Sequence, residues 1–234
     1  MNSPLPAAMN SVNWNGNVAT FLVQEIQLTQ IDAACSRLAV WSRQLEIIDR
    51  GNPAISFVRA MQSAAHQAVS SIGLGLYWAS ASSIRSVLEN ALYYTYFRVH
   101  PVELSSLVSN DSYYVSKTEI LDFHQVHTRD FKKLQATLGL LSRLDAWYSQ
   151  ISAIVHGQVP GVWLKSAGIS DTKFNEETLK DAVAKLCEAE LIVHHLFLIT
   201  FARHNWSEFS HASKRFILKG MSGDQKASLG LDLL

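Results

Sequence analysis

The chain carries little charge and no excess of either sign. Lysine plus arginine and aspartate plus glutamate number 20 each, and charged residues make up 17% of the 234, below the usual share of about 25%. Without a global positive field, affinity for nucleic acid has to come from a local patch. Cysteine is nearly absent. Cys35 and Cys187 stand far apart in apolar helical contexts, which excludes a disulfide framework and a zinc site built on paired Cys/His spacing and points to a reducing compartment. No apolar run reaches the roughly 18 residues of a membrane span; the nearest, AELIVHHLFLITFA, is shorter and holds two histidines. The N-terminal stretch MNSPLPAAMNSVNWNGN lacks the basic and apolar segments of a signal peptide. The expectation is a cytoplasmic protein with no membrane association. A glycine-rich phosphate loop, Gly-x-Ser-x-Gly and His-Glu-x-x-His are also missing, so nucleotide hydrolysis, serine hydrolysis and zinc proteolysis have no support.

What is present is helical periodicity. Apolar residues form 48% of the chain, enough for a substantial core in one domain. From Val18 to Arg50, the residues Phe21, Ile26, Leu28, Ile31, Leu38, Trp41 and Leu45 keep an apolar stripe at three-to-four spacing. RGNP ends it. Further helices are expected over Ala54–Ser71, Trp78–Val99, Thr128–Val155 and from the Asn175 cap to His204, with short helices around VELSSLV, KTEILDFHQVH and Ser210–Lys219. The loop between Gly157 and Asn175 leaves room for a short extended piece. No strand-like alternation is long enough for a sheet and no repeat is present. The sequence therefore predicts an all-α fold, a bundle of four to five long helices with short accessory helices. Residues 1–17 read as a flexible arm, 18–220 as the bundle and 221–234 as a flexible tail.

Nine histidines raise the question of metal. A di-iron bundle needs Glu-x-x-His on two helices and a Glu on two others. Glu208 with His211 is the one match, and it lies outside the long helices. Glu190 with His194, and His124 with His127, sit about one turn apart without acidic partners at fitting spacing. The expectation is no metal and no cofactor, with His194 packed in the core and His195 facing elsewhere.

Two polar constellations interrupt apolar helices. In SIRSVLENALYYTYF, Arg85 and Glu89 are four apart, on one face. They form either a shielded ion pair or an arginine aimed at an anion. In YSQISAIVHG, Tyr148, Ser152 and His156 form a ladder on one face of a helix that Gly157 stops. His156 is a helix cap, a structural imidazole or a general acid–base group. Unpaired polar groups are costly to bury, so the two ladders are expected to satisfy each other, with His156 within reach of Arg85 and Glu89 in a partly buried pocket.

Arg-x3-Glu on an early helix followed by Tyr-x3-Ser-x3-His-Gly closing a later one resembles the HEPN-like helical proteins of bacterial defence and toxin–antitoxin systems, over about residues 75–205. The resemblance implies a helical bundle, usually a dimer, and in many members a metal-independent ribonuclease; other members bind RNA or serve as assembly modules. On that reading His156 is the base or acid, Arg85 the anion clamp, Glu89 its orienting partner, and Ser152 and Tyr148 contacts to phosphate or imidazole. The usual family signature, Arg and then His after four to six residues, is met once, by the reserve pair Arg59 and His66, where Ala60 replaces the polar residue that usually follows the arginine. Arg129, Lys132 and Lys133 are the candidate RNA-binding patch. The alternative is a non-catalytic helical subunit that holds a protein partner encoded nearby, or RNA. The low charge and the aromatic cluster at Tyr93, Tyr94, Tyr96 and Phe97 favour association, with a symmetric dimer as the expected form.

Overall fold

The computed structural model describes residues 4–163 and 168–231. All regular structure among them is helical. In chain order the helices are α1 (Pro4–Ser11), α2 (Trp14–Leu22), α3 (Glu25–Ile48), α4 (Ile55–Gly73), α5 (Tyr77–Phe97), α6 (Pro101–Ser109), α7 (Lys117–His127), α8 (Phe131–Leu138), α9 (Leu140–Val155), α10 (Glu176–Phe197), α11 (Arg203–Asn205), α12 (His211–Ile217) and α13 (Gly223–Leu229).

Five long helices, α3, α4, α5, α9 and α10, make the bundle, and α5 and α10 pack against each other at its centre. The closest pair is α4 with α5. Ala64, Ala65 and Ala68 on α4 and Ser80, Ala81 and Ala91 on α5 are buried, and small side chains let the two backbones approach. Larger apolar groups fill the rest: Trp41, Tyr94, Phe97, Phe197 and Phe201 are fully buried. Trp41 meets Phe197 edge-on with ring centroids 5.4 Å apart, a geometry that favours aromatic pairs. No helix among the described residues is long and apolar enough to cross a membrane.

Three expected helices are interrupted. The stripe from Val18 to Arg50 breaks between α2 and α3 because α2 is tied elsewhere. Asn17 donates to the Leu74 carbonyl and accepts from the Phe174 amide, and Phe21 packs on Gly73, where a β-carbon would stand 3.1 Å from its ring. The helix read as Thr128–Val155 is two helices joined at Gly139, whose φ of 62° is left-handed. After Phe197 the chain widens into a π turn over Leu198–Ala202 before α11.

Gly139→Ala should lower stability by about 1 kcal/mol, the cost of a side chain in left-handed backbone. It would appear as a lower denaturation midpoint at unchanged slope. An unchanged midpoint would mean that this glycine does not set the α8–α9 break.

The stretches read as arm and tail also carry helices. Their Asn and Ser residues act as helix caps rather than loop formers, two roles that draw on the same short polar side chains. The Asn13 side chain accepts from Gly16 N–H, and Ser222 with Gln225 forms a capping box that starts α13. Val12, Leu229 and Leu231 are buried. The outermost residues of both stretches, 1–3 and 232–234, and residues 164–167 of the loop read as holding a short extended piece, lie outside the described residues.

Candidate functional site

The two polar ladders meet between α5 and α9. Arg85 and Glu89 stand one turn apart on α5, and Arg85 Nε donates to Glu89 Oε1 at 2.8 Å. Tyr148 and His156 stand two turns apart on the α9 side, and the guanidinium bridges them. Its Nη2 donates to Tyr148 Oη at 2.8 Å, and its Nη1 donates to His156 Nε2 at 3.0 Å. Tyr148 in turn donates to Glu89 Oε1 at 2.8 Å. A guanidinium has no acceptor, so while this contact holds, His156 Nε2 keeps its lone pair and the ring proton sits on Nδ1.

The electrostatics follow from partial burial. Burial works against the Arg85 charge, but Glu89 and then Tyr148 outweigh it and hold the guanidinium pKa above its ordinary value. Burial and the Glu89 carboxylate push the Tyr148 phenol up, with Arg85 opposing them. Tyr148 is thus a neutral phenol that accepts from Arg85 and donates to Glu89, helping to fix both charged partners.

One expectation fails. His156 is exposed rather than part-buried. It is the residue after the last turn of α9, and its backbone N–H donates to the Ser152 carbonyl. An apolar helix reaches solvent at its end, so the cap position and the guanidinium contact coexist. Ser152 does not join the network: its Oγ is buried without a hydrogen-bond partner.

Other candidates lie apart. Arg59 is exposed and pairs with Glu46 at 2.8 Å, and His66 points outward two turns further along α4. Arg129, Lys132 and Lys133 are exposed at the start of α8, and the hydrogen bonds of the Arg85 network draw on none of them.

Residues that were not singled out complete the site. Trp78 Nε1 donates to the Ile154 carbonyl at 3.0 Å, which also accepts from the Gly157 N–H, and so pins the end of α9 to the start of α5. Lys117 places its Nζ 5.1 Å from the Tyr148 ring centroid and 2.5 Å from Asp145 Oδ1, while Arg85 lies 5.0 Å from the same ring. Beside them opens a cleft of about 390 Å³ between α5, α7 and α9, lined among others by Arg85, Tyr93, Tyr114, Lys117 and Tyr148. The one readable signal was Ser116-x-x-Glu119, a capping box that starts α7 and so places Lys117.

His124, His194 and His195 are buried in the bundle, so His195 does not face away from the core as expected. His194 is buried and accepts from Trp41 Nε1 at Nδ1, 3.1 Å away. His124 is buried between Thr95 and Thr128, at 2.9 and 2.8 Å. Arg37 Nε lies 2.8 Å from the buried Glu190 carboxylate. No group of three or more His, Cys, Asp or Glu residues among the described residues is arranged to hold a metal ion.

No family model matches the chain, and neither a curated protein nor a solved structure matches it.

Proposed function

We propose that this chain is a HEPN-like protein of a bacterial defence or toxin–antitoxin system that cleaves RNA with its own side chains. The observation that supports the reading is the 3.0 Å contact between Arg85 and His156, which joins a cation and an imidazole from residues 71 positions apart in the chain. A phosphodiester entering here draws Arg85 Nη1 onto a non-bridging oxygen and releases His156 Nε2. The imidazole then takes the proton of the ribose 2′-hydroxyl. The 2′-oxygen bonds to phosphorus, the bond to the 5′-oxygen breaks, and that oxygen takes a proton from water. The products are a 2′,3′-cyclic phosphate and a 5′-hydroxyl. Arg85 stabilises the charge that develops on the phosphoryl oxygens, and Glu89 and Tyr148 hold it in place.

Expression of the wild type and His156→Ala in a bacterial host, scoring growth and RNA integrity, tests this. The wild type should slow growth and leave cyclic-phosphate ends. His156→Ala should lose about 100-fold or more of the activity, the usual scale of acid–base catalysis. Equal RNA integrity in both strains refutes catalysis at this site.

A second reading, a non-catalytic subunit that assembles as a dimer or with a protein encoded nearby, draws on different observations. All three guanidinium nitrogens of Arg85 already bond within the chain, as in a structural clamp. Leu22, Val23 and Ile26 are 59%, 69% and 70% exposed at the α2–α3 corner, which is costly unless an apolar partner covers them.

A further inference from the structure

The cleft beside the Arg85 network is larger than that network requires, and two features of its lining stand out. Arg85 and Lys117 place two cations within about 5 Å of the Tyr148 ring centroid. Tyr93 and Tyr114 add phenolic rings, while the Glu89 carboxylate, two hydroxyls and apolar side chains complete the wall. Tyr93 is held edge-on against Phe57, with ring centroids 5.4 Å apart, and Tyr114 is 72% exposed at the rim. Two cations and both fixed and free aromatic rings in one cleft suit a ligand that joins an anionic group to a flat ring. A volume of about 390 Å³ lies near the lower end of the roughly 300–1,000 Å³ range of ligand pockets, so it holds one such unit and not two.

We propose that the cleft binds one nucleotide unit of an RNA chain, its 3′-phosphate against Arg85 and Lys117 and its base on Tyr93 and Tyr114. The placement rests on the RNA-cleaving reading and extends it. Arg85 contacts both the cleft and His156, so a phosphate on the guanidinium lies at the boundary between them. The nucleotide that supplies the attacking 2′-hydroxyl is the one whose 3′-oxygen carries that phosphate, and its base enters the cleft. Base–aromatic stacking accepts any base face. The hydroxyl-bearing Ser116 and Thr118, which also line the cleft, offer hydrogen bonds to a base edge.

Calorimetric titration of the intact chain with uridine 3′-monophosphate, adenosine 3′-monophosphate, adenosine 5′-monophosphate and inorganic phosphate tests the proposal. At least one 3′-nucleotide should bind about tenfold or more tighter than phosphate, and tighter than the 5′-nucleotide. Tyr114→Ala should remove most of that advantage. Because Tyr114 is largely exposed, this substitution leaves the core intact, and circular dichroism checks it. Lys117→Ala should weaken nucleotide and phosphate alike. Equal affinity for phosphate and the 3′-nucleotides, a preference for the 5′-nucleotide, or full affinity in Tyr114→Ala overturns the proposal. If RNA is cut and Tyr114→Ala changes neither binding nor cleavage, the cleft assignment fails and the catalytic reading stands. If 3′-nucleotides bind in a Tyr114-dependent way and His156→Ala leaves RNA integrity unchanged, the catalytic reading fails and the cleft assignment stands.

Discussion

Lowering the pH from 6.5 to 4.5 should strip several kcal/mol of stability from this protein. Three buried histidines carry the effect. Burial lowers the pKa of His124 to about 4, with His100 and Arg98 adding to it. Burial lowers that of His195 to about 4, with Arg143 and Arg37 adding to it. His194 is pushed well down by burial, then by Arg37 and His195. A histidine whose folded pKa lies below its unfolded value of about 6.5 binds its proton more readily when unfolded. Its contribution is therefore whole above pH 6.5 and is lost as the pH falls toward the folded value. For His124 and for His195, the gap between 6.5 and about 4 corresponds to about 3 kcal/mol each.

Glu190 works in the opposite direction. Burial raises its pKa to about 7, against the pull of Arg37. The folded state thus holds the Glu190 proton more tightly, and this carboxyl adds stability as the pH falls from 7 to 4.5. One carboxyl offsets about one histidine, and acid destabilisation remains the net result. Urea denaturation at pH 7, 5.5 and 4.5 reads it directly, as a falling midpoint. His124→Gln, which keeps a neutral polar side chain between Thr95 and Thr128, should flatten the fall. A midpoint that does not fall between pH 7 and 4.5 would show that the three imidazoles together lose no more stability than Glu190 gains, and would overturn the prediction.

The second large effect belongs to the Arg85 network. Arg85→Ala should cost about 2 kcal/mol, because it removes the donor to Glu89 and Tyr148 and leaves both part-buried groups without it; bonds to charged partners contribute roughly 1.5–3 kcal/mol. The estimate sits low in that range because the Arg85 and Glu89 side chains remain 22% and 35% exposed, which admits solvent screening. Tyr148→Phe removes one hydroxyl that both accepts from Arg85 and donates to Glu89. The double substitution should therefore cost less than the sum of the single ones by at least about 0.5 kcal/mol. A denaturation cycle over the four proteins measures this. Additive losses would mean that the contacts are independent, and the case for a preorganised site would weaken. Because His156 is exposed, its replacement should hardly change stability, which keeps a loss of activity in His156→Ala interpretable.

Much of the architecture was legible in the sequence, for physical reasons. Apolar stripes with a 3.6-residue period need a hydrophobic partner, and five such stripes joined by short connections leave a helical bundle as the economical solution. The approach of Arg85 to His156 followed from the cost of leaving polar groups unpaired on apolar helices. The burial of His194 followed from the apolar run around it.

The tertiary structure decided the rest. The helix break near Gln24 depends on where Asn17 and Phe21 are anchored, by residues 50 or more positions away, and periodicity carries no such distance. The depth of His156 depended on which surface the end of α9 reaches. Ser152 shares a helical face with Tyr148 and His156, yet its Oγ stays outside the network, because spacing along a helix assigns a side and not a partner. The cleft draws on α5, α7 and α9 together with the loop that carries Tyr114. No local pattern links Tyr93, Tyr114, Lys117 and Tyr148. Only packing α7 across α5 brings them to one wall, since side chains remote in sequence become a site through the contacts of the helices that carry them.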